Sequence, residues 1–249
     1  MSHYHKNSTN DDFLELGEHF QGRVHDFQNE MRLGFIRKVY GILTMQLSIT
    51  VVFCIASVTS MAFQKFQQNN LFLFFTCLVL ACLLPCVIVC CESVMRKTPN
   101  NYIILFTFTF AESYLVSFVC GNTNPEIVLM AAVMTCAMVS ALTLYACTTK
   151  TDITTQGGAI FLLGCAFLMF GFFLIFTNNK ILHIVYCVLG IILFGWYLLY
   201  DTQLIMGNKQ NSFDFDDYIL ASFQLYTDII NLFLKTLELI QLLTGNRSE

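Results

Sequence analysis

Apolar runs long enough to cross a bilayer alternate with short polar breaks along most of this chain. Seven such runs have approximate cores at 35–63, 71–91, 102–120, 127–147, 158–176, 181–206 and 218–243. Each is close to the ~20 residues that a helix needs to span ~30 Å of hydrocarbon. The breaks at 64–70, 96–101, 121–125, 148–156, 177–180 and 207–217 hold polar and turn-forming residues. Connections this short place successive helices side by side and antiparallel. The pattern predicts an all-α integral membrane protein with seven transmembrane helices over 35–243. A flexible polar tail is expected at 1–34, with a surface helix over 26–38 leading into the first span, and a short C-terminal tail at 244–249.

Composition excludes the soluble alternatives. Hydrophobic residues make up 56% of the chain and charged residues 12%, against about 25% charged in ordinary soluble domains. That is too little charge to clothe a soluble core. A net charge of −4 argues for neither a nucleic-acid partner nor an acidic substrate. The N-terminus lacks the basic start and apolar core of a signal peptide. Arg23, Arg32, Arg37 and Lys38 precede the first span, and Arg96 and Lys97 follow the second, whereas Lys65 and Lys180 fall on the other side. The excess of Lys and Arg in cytosolic loops therefore puts the N-terminus in the cytosol.

The 11 cysteines lie mostly in apolar runs (Cys54, Cys77, Cys82, Cys86, Cys136, Cys165, Cys187), where Cys acts as a small hydrophobe. No C-x-x-C pair with matching His spacing occurs, so neither a disulfide framework nor a zinc site is expected. Four of the five histidines lie in the tail and His183 stands alone. No resident cofactor is expected.

Two carboxylates break the apolar pattern in the last two spans. An Asp at the centre of a membrane helix costs roughly 2.5–3.5 kcal/mol, so Asp201 and Asp228 read as a functional site facing an interior. At 100° per residue, Gln224, Asn231, Lys235 and Glu238 all fall within about 80° of Asp228. Ile229, Ile230, Phe233 and Leu234 fill the rest of the circumference. One polar face suits a helix lining a seam; an amphipathic helix lying flat at the interface is the alternative. Asp201 stands roughly 9 Å from the loop that starts at Gly207, and Asp228 roughly 16 Å from Asp217. Fraying of either end would bring them to one depth. Two carboxylates in low dielectric cannot both ionise cheaply, so one would share or hold a proton. The competing arrangement pairs Asp228 with Lys235. Glu112 is the other carboxylate within a span, either lining a path or bonded in neutral form to a neighbouring helix. Asp214, Asp216 and Asp217 do not reproduce a calcium-binding loop.

The runs Tyr200-Asp201-Thr202-Gln203 and Leu225-Tyr226-Thr227-Asp228-Ile229-Ile230-Asn231-Leu232-Phe233 resemble the closing signature of the transmembrane Bax inhibitor motif family. Phe106-Thr107-Phe108-Thr109-Phe110-Ala111-Glu112-Ser113 is similar to its Lifeguard branch, as is the run from Phe35 to Leu47. The resemblance implies a central seventh helix wrapped by the other six. It also implies a pH-sensitive calcium leak and a cytoprotective role in endoplasmic reticulum or Golgi membranes. By motif, Asp201 and Asp228 match the family's proton-sharing pair, and Arg96 is the candidate for a basic third member.

The expected function is therefore a calcium leak channel, or a channel-like regulator of store calcium, gated by Asp201, Asp228 and Arg96. Glu112, Gln224, Asn231, Lys235 and Glu238 are the candidate lining groups. Calcium would be the permeant ion, held transiently near Asp201 and Asp228. The expected partners are the lipid bilayer, cell-death regulators and calcium-release channels. A non-conducting regulator of such partners is the alternative. An intramembrane aspartyl protease is a weaker one, because Leu225-Tyr226-Thr227-Asp228 lacks the Gly-x-Gly-Asp that the second half of that signature requires.

Overall fold

A computed structural model describes residues 4–90, 98–207 and 209–245. Among them the chain forms eight α-helices and one turn of 3₁₀ helix, and no strand. They are α1 (Tyr4–Thr59), α2 (Met61–Asn69), α3 (Leu71–Cys90), α4 (Asn100–Gly121), α5 (Pro125–Thr148), α6 (Gly157–Leu174), α7 (Lys180–Met206) and α8 (Tyr218–Thr244), with the 3₁₀ turn at Thr154–Gln156. α1 takes in most of the polar stretch that composition reads as a tail. The break expected at 64–70 is largely helical: α2 turns off α1 at Ser60, whose hydroxyl accepts from the Phe63 N–H at 3.3 Å.

Local chemistry sets the other ends. The Asn124 side chain caps α5 by accepting from the Glu126 N–H at 3.0 Å, with Pro125 in the first turn, where a missing N–H costs nothing. Asn179 caps α7 through the N–H groups of Ile181 and Leu182. α7 ends at Gly207 with φ +69°, a left-handed backbone that favours glycine. A Cβ at that position would also run into the Arg32 guanidinium of α1.

Among the described residues, six helices are long and apolar enough to cross a membrane, in the spans His19–Thr59, Leu71–Ile88, Asn100–Gly121, Pro125–Thr148, Thr154–Leu174 and Lys180–Met206. Their outer faces carry exposed Val51, Val52, Phe72, Leu129, Val133, Phe161, Leu168 and Ile192, the surface expected against lipid. α8 is different. It carries Asp228, Lys235 and Glu238, and it is the helix most enclosed by protein, packing against α1, α4, α5 and α7. Leu243, at its end, is the one large hydrophobic side chain of α8 that is strongly exposed. A helix lying flat at an interface would not bury its apolar faces in this way. α3 packs chiefly on α4, and α6 on α7.

The α6–α7 contact rests on a glycine repeat. Gly157, Gly164 and Gly171 recur every seven residues and so share one face. They receive the hydroxyl ends of Tyr200, Tyr197 and Tyr186 respectively, on antiparallel α7. Small residues at such seams let membrane helices approach closely, where dispersion and hydrogen bonding replace the hydrophobic effect as the force between helices.

Candidate functional site

Asp201 and Asp228 meet in the seam between α7 and α8. Both are buried, at 3% and 7% exposure, and their carboxyl groups lie within hydrogen-bonding reach of one another. No fraying is needed, since α7 is regular to Met206 and α8 from Tyr218. Among the described residues the Asp228 Oδ2 atom has no hydrogen-bond partner. A hydrogen bond between two carboxyl groups exists only when one of them carries a proton. Tyr197 lies beside both acids, but its hydroxyl donates to the Ile160 carbonyl of α6 at 3.1 Å, so it braces the site without neutralising it.

The rest of the polar face of α8 runs along the same seam. Asn231 donates back to the Thr227 carbonyl at 2.9 Å. Gln224 is partly buried, and among the described residues its Oε1 atom has no hydrogen-bond partner. Lys235 does not pair with Asp228. Its Nζ lies 2.9 Å from Glu238 Oε2 and 4.3 Å from the centre of the Tyr186 ring, which stacks on Phe167 at 4.2 Å. Gly190 of α7 makes room for the Lys235 stem. Beyond this pair, a cavity of about 1260 Å³ opens at the far end of the seam, lined by Asn178, Lys180, His183 and Glu238.

Glu112 stands elsewhere. It is half-buried on α4 and within electrostatic range of the Tyr226 hydroxyl. Tyr226 and Asp228 are two residues apart and so point to nearly opposite sides of α8. Arg96 lies outside the described residues. Among those described, no group of three or more His, Cys, Asp or Glu could hold a metal. Two carboxylates fall short of the 6–8 oxygen ligands that calcium takes, so a bound ion there would keep much of its water.

Two polar networks that frame the site escape sequence reasoning. The first is a hub on Thr50 of α1. Its Oγ1 donates to the Gln46 carbonyl at 3.1 Å and lies 2.9 Å from both Ser113 Oγ and the Tyr226 hydroxyl. Nearby, Gln46 donates to Thr109 at 3.0 Å, and Gln67 of α2 joins Ser57 and Ser117 at 2.8 and 2.9 Å. The spacing of Thr109, Ser113, Ser117 and Gly121 at every fourth position is the signal that a reading for small residues would have found.

The second network clasps the loops beside the Asp201 end of α7. Gln203 accepts from the Ile153 N–H at 2.9 Å and donates to the Thr151 carbonyl at 3.0 Å. Asp152 accepts from the Thr154 hydroxyl at 2.6 Å, the Thr154 N–H at 2.9 Å and the Gln210 N–H at 3.1 Å. These bonds, led by that from the Thr154 hydroxyl, hold the Asp152 carboxyl below the usual range. Arg32 completes the clasp by donating to the Phe213 carbonyl at 3.1 Å.

An all-helical bundle with lipid-ready faces and a buried acid pair defines a multi-pass membrane protein. The chain belongs to the Bax inhibitor motif family, since its residues 32–248 match the family described as Inhibitor of apoptosis-promoting Bax1. It is 32% identical to human Protein lifeguard 3 over 215 residues, covering 85% of this chain and 69% of the relative. It is likewise 32% identical to Protein LIFEGUARD 2 of Arabidopsis thaliana, covering 85% of this chain and 89% of the relative. Mouse Protein lifeguard 4 is 31% identical, covering 96% of this chain and 95% of the relative.

Proposed function

We propose that the protein is a pH-sensitive calcium leak channel, or a channel-like regulator of intracellular store calcium, with an anti-apoptotic role. The Asp201–Asp228 pair is its latch. One observation carries the reading: α7 and α8 press two buried carboxyls together with no cation among the described residues to neutralise them. One shared proton makes this contact attractive, and its loss leaves two like charges in a medium of low dielectric. Deprotonation then drives α7 and α8 apart and opens the seam that the polar face of α8 lines. In this scheme α8 is a seventh, central span wrapped by the other six, and the N-terminus is cytosolic. Calcium is the permeant ion, carried transiently past Asp201 and Asp228 with its water, and Glu112 lines the path on the Tyr226 side. Arg96 holds the third place in the latch on motif grounds alone.

Family membership supports the anti-apoptotic role, since the family is described as an inhibitor of apoptosis-promoting Bax1. An endoplasmic reticulum or Golgi membrane is the setting in which such a leak would act on stored calcium, beside cell-death regulators and calcium-release channels.

A second reading has its own observation. Lys235 is a fixed cation in the seam between the cavity and the acid pair, which opposes the passage of cations and favours a non-conducting regulator. Purified protein in liposomes loaded with a calcium dye separates the two. A leak channel passes calcium, and does so differently in Asp201→Asn and Asp228→Asn. Absence of flux would leave the non-conducting reading standing, and flux indifferent to both substitutions would refute the acid-pair latch.

A further inference from the structure

α1 and α4 are joined along their length by hydroxyl and amide pairs, and they approach closely at Gly121. A Cβ there would press into the Ser57 hydroxyl. This approach brings together two free thiols: Cys54, three residues before Ser57 on α1, and Cys120, next to Gly121 on α4. They lie within side-chain hydrogen-bonding reach of each other. Their surroundings are unequal. Cys120 is fully buried, whereas Cys54 is half-buried and lines an apolar cavity of about 410 Å³ between α1, α4, α5 and α8. Val51 and Leu129 at that cavity are 54% and 66% exposed, so it opens on the lipid-facing side of the bundle.

We propose that Cys54 and Cys120 are a hydroperoxide-responsive pair, oxidised to a disulfide that ties α1 to α4. The cavity selects the oxidant, because an apolar opening facing lipid excludes a charged disulfide such as oxidised glutathione but admits an uncharged hydroperoxide. The Cys54 sulfur attacks the outer peroxide oxygen. The O–O bond breaks, Cys54 becomes a sulfenic acid, and water or an alcohol leaves. The Cys120 sulfur then attacks the Cys54 sulfur, the S–S bond forms, and the hydroxyl departs as water with the Cys120 proton. In sum, two thiols are oxidised by two electrons and one hydroperoxide is reduced. The bond would lie one helical turn from Thr50, so oxidation would fix the α1–α4 edge of the hub that holds Tyr226 of α8.

The test uses the whole protein in lipid nanodiscs, with hydrogen peroxide in one arm and the uncharged methyl linoleate hydroperoxide in the other. Remaining thiols are alkylated, and unreduced digests are read by mass spectrometry. The expected product is a Cys54–Cys120 linked peptide pair, lighter by two hydrogens, abolished by dithiothreitol and accompanied by a rise in the thermal midpoint. Formation in both arms means that small peroxide reaches the site. Formation only with the lipid hydroperoxide means delivery through hydrocarbon, and either result supports the pair. Cys54→Ser and Cys120→Ala should each abolish both the link and the rise. The exposed thiols of Cys82, Cys86 and Cys136 report that oxidant was present. The proposal is overturned if they are oxidised while Cys54 and Cys120 are recovered alkylated, or if either links mainly to another cysteine.

Discussion

Replacing Thr50 by Val keeps the shape of the side chain and removes the oxygen at the centre of the α1–α4–α8 hub. The Thr50 proton is engaged by the Gln46 carbonyl, so Oγ1 serves as acceptor for both Ser113 and Tyr226. Ser113 and Tyr226 are each fully buried, at 0% exposure, and neither would find water once the acceptor is gone. Interhelical hydrogen bonds in membranes average about 0.6 kcal/mol and reach about 1.7 kcal/mol, while a buried group left unsatisfied costs about 1–3 kcal/mol. Thr50→Val should therefore cost about 2 kcal/mol. Tyr226→Phe removes one partner and leaves Thr50 bonded to Ser113, so it should cost about 0.6 kcal/mol. The double variant should be little worse than Thr50→Val alone, because the two changes remove one shared bond. Equilibrium unfolding in detergent micelles gives the cycle. Equal costs for the two single variants, or strict additivity, would show that Thr50 is not the shared acceptor.

Gly164→Leu pushes a side chain into the hydroxyl end of Tyr197 and should destabilise the α6–α7 contact by about 1–3 kcal/mol, seen as a lower thermal midpoint; an unchanged midpoint would argue against the close packing. The clasp around Asp152 should respond to acid. Its folded-state pKa is lowered, so its contribution is fully present above the ordinary Asp value of about 3.9 and fades as pH falls through the folded value. Hydrogen exchange at 149–156 and 209–211, corrected for intrinsic rates, should speed up in that acidic window. In Asp152→Ala it should be fast at neutral pH already, with no further acid response.

Much of the bundle is legible in the sequence because lipid imposes length and apolarity on any spanning helix. Six of the seven runs recur as helices of that kind. The Asp201–Asp228 meeting was also legible, since two expensive charges on consecutive antiparallel helices have few other places to go. What escaped depends on packing rather than on pattern. Gln67 reads as part of a polar loop, yet α2 turns it into the bundle, where Ser57 and Ser117 satisfy its amide. Thr50 reads as one hydroxyl in an apolar run, and its importance comes from which residues of α4 and α8 face it. Lys235 and Asp228 share one face of α8, which suggests a pair, but Glu238 lies nearer by one turn and the rings of Tyr186 and Phe167 complete its surroundings.

The shared proton between Asp201 and Asp228 is the central claim, and calcium efflux from proteoliposomes across a pH series tests it most directly. Wild-type efflux should rise with pH as the pair loses its proton, by up to tenfold per pH unit if a single proton governs opening. In Asp228→Asn the amide donates permanently to the Asp201 carboxylate, so efflux should stay low and flat over the same range. Efflux that ignores pH in the wild type, or that keeps the wild-type pH profile in Asp228→Asn, would contradict the latch.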